Sequence, residues 1–208
     1  MMRKGTGQSM GVAALIMGGS VLASRFMGLV RDKVISYHYG ASLESDIYFA
    51  SFVIPDFINY LLAGGYFSIT LIPLLSEAFG RDQKDGWRFM GTVFTWMLAV
   101  SIPVTGLAMY LAPELAHVAA PGFSPEAQER LALFLRIILP AQIFFLAGSS
   151  VLALVYMRKS FTIPAFVPLV YNGMIIAVGL VMIDSGMEGF CWGVLLGSVL
   201  GNFLLPAW

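Results

Sequence analysis

The sequence predicts an all-α membrane protein with six transmembrane helices, and three observations carry that prediction. Its residues are 58% hydrophobic and only 12% charged, about half the charge density of a soluble domain. Apolar stretches long enough to cross a hydrocarbon core of roughly 30 Å recur along the 208 residues. Lysine and arginine in the connections alternate between the two sides. One side holds Arg3 and Lys4, then Arg81, Lys84 and Arg88, then Arg158 and Lys159. The turns of the other side, around Gly40, Pro121 and Gly186, hold none. By the positive-inside rule the N-terminus is cytoplasmic. Formal net charge is zero, so no global field points to nucleic acid.

Span one is expected over 9–37. Its basic start, apolar run and Val21-Leu22-Ala23 superficially resemble a signal peptide. The helical pattern, however, continues unbroken through Arg31. Span two, 43–79, would exceed about 50 Å as a straight helix, too long for one crossing. Pro55, Gly64-Gly65 and Pro73 are its expected bend or hinge points. Span three is expected over 87–111. Before span four, 126–157, the run Ser124-Pro125-Glu126 reads as a helix cap, a proline in the first turn and an acid beside it. Spans five and six follow over 161–183 and 189–208. Trp87, Trp192 and Trp208 stand near span ends, as an aromatic belt requires. All six spans form one lobe, 1–208. The chain stops just after span six with no basic tail, which reads as half of a transporter or a truncation.

The polar residues inside these spans carry the functional reading. On span one, with Arg25 at zero, Asp32 falls at roughly −20°, Gly28 at −60°, Ser24 at −100° and Arg31 at −120°. Two arginines thus share one face, about 9 Å apart along the axis, with a glycine notch between them. That face has to line a protein interior or a water-filled cavity. Arg25 lies about 24 Å along the span, too deep to snorkel easily. Its competing reading is an ion pair with Asp32 or Asp56. Arg31 is nearer the outer end, where snorkelling competes with a cavity contact.

Asp46 opens span two as a first-turn acid or a gating partner. Asp56 and Asn59 share a helix face farther along. Arg136 in span four is another intramembrane cation, cavity-facing or structural. Asn172 in span five reads first as interhelical glue. An arginine fork in such a cavity suits phosphate oxygens. No catalytic constellation, phosphate-binding glycine loop or metal cluster is legible, so no enzyme activity, resident metal or cofactor is expected. His38 and His117 stand far apart near span ends, and the lone Cys191 excludes an intramolecular disulfide.

These residues resemble the MurJ/MviN lipid II flippases, within the MOP exporter superfamily. The matching stretches begin with Ser24-Arg25-x-x-Gly28-x-x-Arg31-Asp32 and Asp46-x-x-Phe49-x-x-Phe52-x-x-Pro55. Ala63 to Ser68, Pro73 to Glu77, Ala120 to Phe123, Ile163 to Pro168 and Asn172 continue the match. The resemblance implies one lobe of a MurJ- or MATE-like transporter in the bacterial inner membrane. It implies that Arg25 and Arg31 bind the pyrophosphate of a lipid-linked anionic glycan. Ser24, Gly28, Asp32, Asp46, Asp56, Asn59 and Arg136 would then belong to the cavity or its gate. A second lobe or partner subunit would complete the cavity, and a coupling ion or the membrane potential would drive reset. Two positions depart from the family pattern. Its Arg-Arg pair is replaced by Asn59-Tyr60, and its Ala-Glu-Gly by Ala63-Gly64-Gly65. The departures keep open an exporter of another lipid-linked glycan or amphiphile, and a non-transporting half-protein.

Overall fold

The computed structural model describes residues 10–63 and 66–208, and every regular element among them is helical. Helix α1 is one unbroken rod, Met10–Tyr39, about 45 Å long. The predicted second span is three helices: α2 (Leu43–Ala50), α3 (Val53–Ala63) and α4 (Tyr66–Arg81). None reaches the roughly 20 residues that a crossing needs alone. The first interruption falls at Ser51–Phe52, one turn before Pro55. A proline offers no donor to the carbonyl four residues back and its ring crowds that carbonyl, so the helix parts there. Pro73 lies inside α4 without interrupting it. The expected hinge at Gly64-Gly65 lies outside the described residues.

Helix α5 is Gln83–Tyr110 and α6 is Ala112–Ala119. Helices α7 (Pro125–Ile138) and α8 (Ala141–Met157) are parted only by Leu139-Pro140. Helix α9 is Thr162–Val181. Helix α10 (Glu188–Gly197) runs on through a π-helical stretch, Ser198–Leu204, into the short α11, Leu205–Ala207. Four stretches among the described residues are long and apolar enough to cross a membrane. They are Gln83–Tyr110, Pro125–Met157, Thr162–Val181 and Glu188–Ala207, and they fall on predicted spans three to six.

The N-cap of α7 follows the sequence reading. Ser124 Oγ accepts from the Ala127 amide at 3.4 Å, with Pro125 at the first helical position and Glu126 in the first turn. Replacing Ser124 with Ala orphans that amide and should cost about 1 kcal/mol, read as a lower unfolding midpoint in detergent. Two outer turns require glycine, since Gly40 (φ 59°) and Gly186 (φ 71°) occupy the left-handed region.

Packing divides the lobe unevenly along its length. A large cluster at the outer end joins Ile35, Ile47, Tyr48, Leu131, Phe134 and Phe190, from α1, α2, α7 and α10, among others. The inner end has a small one: Leu71, Leu75, Met90 and Ala153 from α4, α5 and α8. Helix α9 sits centrally, with α1 against one side and α10 against another. The α9–α10 contact is backbone-close. A Cβ at Gly193 would lie 2.7 Å from Ile175 Cα, and one at Gly197 would lie 2.8 Å from the Tyr171 carbonyl oxygen.

Candidate functional site

The site is built on the polar face of α1. Long apolar side chains on its other side, including Leu22, Phe26 and Leu29, are exposed at the lobe surface. A Cβ at Gly28 would meet no atom within 4 Å. The glycine notch therefore borders open space and holds no neighbouring helix.

Arg25 lines a cavity of about 350 Å³ between α1, α8 and α9. Ser20 and Ser24 stand beside it, and Tyr156, Pro164 and Pro168 form the far wall. The ion pairs among the described residues are Arg31–Asp32, Arg81–Glu77, Arg130–Glu44 and Arg130–Glu188. Arg25 is in none of them, and neither is Asp56. The competing reading of Arg25 as a structural ion pair with Asp32 or Asp56 is thus not realised. A guanidinium without a carboxylate, at the edge of an apolar-walled cavity, is free to meet a mobile anion.

Arg31 is placed differently. Its Nε and Nη2 donate to Asp32 Oδ1 at 3.0 and 2.9 Å, and its Nη1 donates to Asn172 Oδ1 at 3.1 Å. Asn172 Nδ2 in turn donates to the Pro168 carbonyl at 2.9 Å, which fixes the amide's orientation. Arg31 is 23% exposed and points inward to α9 instead of snorkelling to the outer interface. It keeps donor capacity for an incoming anion, since an arginine carries five N–H groups. Pro168 supplies the acceptor for this arrangement from inside α9. Asn172 thus ties α9 to α1, and its partner is the arginine itself.

The remaining expected site residues divide. Asp56 is exposed on α3, which packs against α6, α7 and α8. Asn59 Nδ2 donates 3.1 Å to Oε1 of the buried Gln142, joining α3 to α8. An amide pair therefore occupies a position where the resemblance leads one to expect a cation. Asp46 is exposed on α2. Arg136 does not join the α1 arginines. Its Nε donates 3.4 Å to the Met109 carbonyl on α5, and the side chain is exposed. Pro55 is buried in the first turn of α3. Sequence reasoning did not find the Gln142 and Met109 contacts, because they join residues 83 and 27 positions apart.

Comparison with known proteins places this geometry in a family. The family model for the lipid II flippase MurJ matches residues 35–205. The chain is 31% identical over 197 residues to the lipid II flippase MurJ of Burkholderia cenocepacia, covering 90% of this chain and 38% of that protein. It is 31% identical over 194 residues to the probable lipid II flippase MurJ of Haemophilus influenzae, covering 86% and 38%. A solved structure of a lipid II flippase MurJ, in an inward closed conformation, shares the fold. Its TM-score is 0.78 at 24% identity, covering 92% of this chain and 41% of that one. The chain spans about two-fifths of the length of these relatives. The family model's match runs from the last residues of α1 through α10, and the solved structure shares the fold: this chain belongs to the MurJ family.

Proposed function

We propose that this chain forms the N-terminal lobe, 1–208, of a flippase in the bacterial inner membrane. The flippase moves undecaprenyl-pyrophosphate-linked peptidoglycan precursor, lipid II, by alternating access. The observation that carries the reading is the pair of α1 arginines in two different states. Arg25 has no carboxylate partner among the described residues and borders a cavity. Arg31 is oriented by Asp32 and Asn172. Arg25 then captures the pyrophosphate electrostatically, and Arg31 receives it in a fixed geometry. Ser24 adds a hydroxyl donor, and the Gly28 notch lets the headgroup approach the helix backbone. Asp46 and Asp56 stand as gating acids, and the α2–α3 break, with Gly64 and Gly65 beyond, lets the lobe bend. A second lobe or partner subunit completes the cavity, and a coupling ion or the membrane potential resets it.

Arg25→Ala in the full-length protein should abolish complementation of a flippase-deficient strain. Normal growth with well-expressed Arg25→Ala protein would sink the assignment. One observation favours a second reading, export of another lipid-linked glycan or amphiphile. The Asn59–Gln142 amide pair leaves this lobe with fewer cations than the family pattern implies. Flipping assays with defined lipid-linked substrates separate the two, since only the first reading requires lipid II to be preferred.

A further inference from the structure

We propose that Arg130 is a positioning residue that latches the N-terminal half of α2 and can release it without leaving a charge unpaired. Three helices that begin beside the three outer turns meet at its guanidinium. From α7, Arg130 Nε donates 3.2 Å to Glu44 Oε1 on α2, and Nη1 donates to Glu188 Oε1 on α10. Its guanidinium carbon stands 5.0 Å from the centre of the Phe134 ring. A Cβ on Gly186 would come within 3.8 Å of Nη2, so the turn before α10 closes over the same group.

The two ionic arms are unequal. The Glu188 carboxylate is 29% exposed. Glu44 is 42% exposed, with its buried Oε2 lacking any hydrogen-bond partner. Two carboxylates share one cation. When Glu44 leaves, Arg130 keeps Glu188 and the Phe134 face. Opening therefore costs one charge-assisted hydrogen bond, and not a stranded partly buried cation.

Helix α2 is built to use such a latch. It is eight residues long, between the Gly40–Ser42 turn and the Ser51–Phe52 break. Ile47 and Tyr48, buried against the core, pin its C-terminal half. Its N-terminal half is held by the Glu44 arm and by Ser45, whose hydroxyl donates 3.0 Å to the Gly40 carbonyl. Release lets that half pivot about Tyr48 and carries the outer turn with it. In the alternating-access reading, on which this role rests, the movement opens the outer end of the lobe.

Ser45 is 5% exposed while the latch is closed, so a cysteine there reports opening. The measurement uses full-length protein in membranes, in a background without other cysteines, with Ser45→Cys and a membrane-impermeant maleimide added from the outer side. Arg130→Ala and Glu44→Gln should each raise the labelling rate about tenfold, the population change that about 1.4 kcal/mol produces. Glu188→Gln should not raise it, because Glu44 becomes the cation's sole carboxylate. The exchanged pair Glu44→Arg with Arg130→Glu, made together with Glu188→Gln so that position 130 meets no second acid, should restore protection. Unchanged labelling in Glu44→Gln overturns the proposal. So does a rise in Glu188→Gln equal to that in Arg130→Ala, which would mark general loosening. If Arg130→Ala fails to fold, Glu44→Gln decides alone. No substrate enters this measurement, so a failed lipid II assignment leaves its outcome readable.

Discussion

Gly193→Leu should prevent the lobe from reaching its folded state, and Gly193→Ala should already cost about 1–3 kcal/mol. The reason is geometric. The new Cβ would stand 2.7 Å from Ile175 Cα and 2.9 Å from its carbonyl oxygen. Backbone atoms cannot rotate out of the way as a side chain can, so α10 would have to move off α9. Gly189, Gly193, Gly197 and Gly201 recur every four residues and present one small-residue face. Gly197 is equally close to Tyr171, with a Cβ only 2.8 Å from its carbonyl oxygen. The check is detergent-solubilised thermal unfolding with size-exclusion chromatography. Gly91→Leu serves as control, because a Cβ at that glycine of α5 meets nothing within 4 Å. Equal stability of the Gly193 and Gly91 variants would show that the α9–α10 contact is looser than described.

The second large effect is expected at Arg31. Arg31→Ala should abolish flipping, and Arg31→Lys should lower it at least about tenfold, the cost of roughly one charge-assisted hydrogen bond. A lysine carries one compact ammonium and cannot present a planar fork to Asp32 and Asn172 together. Asn172→Ala should have a smaller effect in the same direction, because the arginine keeps Asp32 but loses its tie to α9. Asp32→Asn is the informative fourth variant. It leaves the hydrogen-bond geometry nearly intact and removes the negative charge that competes with an incoming anion. These four variants are ranked by flipping rate and substrate affinity in vesicles of the full-length protein. Wild-type flipping by Arg31→Lys would remove the geometric role assigned to the fork.

Much of this arrangement is legible in the sequence, and the limit is physical. The polar face of α1 follows from helical periodicity alone. The different depths of Arg25 and Arg31 follow as well, because depth along a helix is residue count times rise; the partners that each takes do not. The Ser124 cap and the interrupted second span are local chemistry. The position of the break is also local, since a proline releases the carbonyl one turn back, at Ser51. The glycine repeat that begins on α10 is present in the sequence as spacing, but the helix that it meets is not. What sequence does not carry is pairing across the lobe. Arg130 finds Glu44 and Glu188 over separations of 86 and 58 residues. Asn172 finds Arg31 over 141. Intramembrane polar residues announce that they need partners, yet which partner each finds is decided by how helices assemble. Arg136 is the clearest case. Its charge marks it as a cavity candidate, while its guanidinium reaches the Met109 carbonyl at the end of α5.

The unequal division of the core has a consequence for where the lobe loosens first. The outer end is tied by a cluster that draws on α1 to α3 and α5 to α10, the inner end by four residues of α4, α5 and α8. Local opening free energy follows the number of apolar contacts that must be broken together. The inner end is thus the low-stability unit, and the outer end approaches the global stability of the lobe. Backbone amides at the inner ends of α4, α5 and α8 exchange with solvent through sub-global fluctuations. Those near Leu131 and Phe190 exchange only when the whole lobe unfolds. Thermal motion alone therefore favours parting at the end that holds Leu71, Leu75, Met90 and Ala153, and the Arg25 cavity between α1, α8 and α9 borders α8, one of the three helices that meet there.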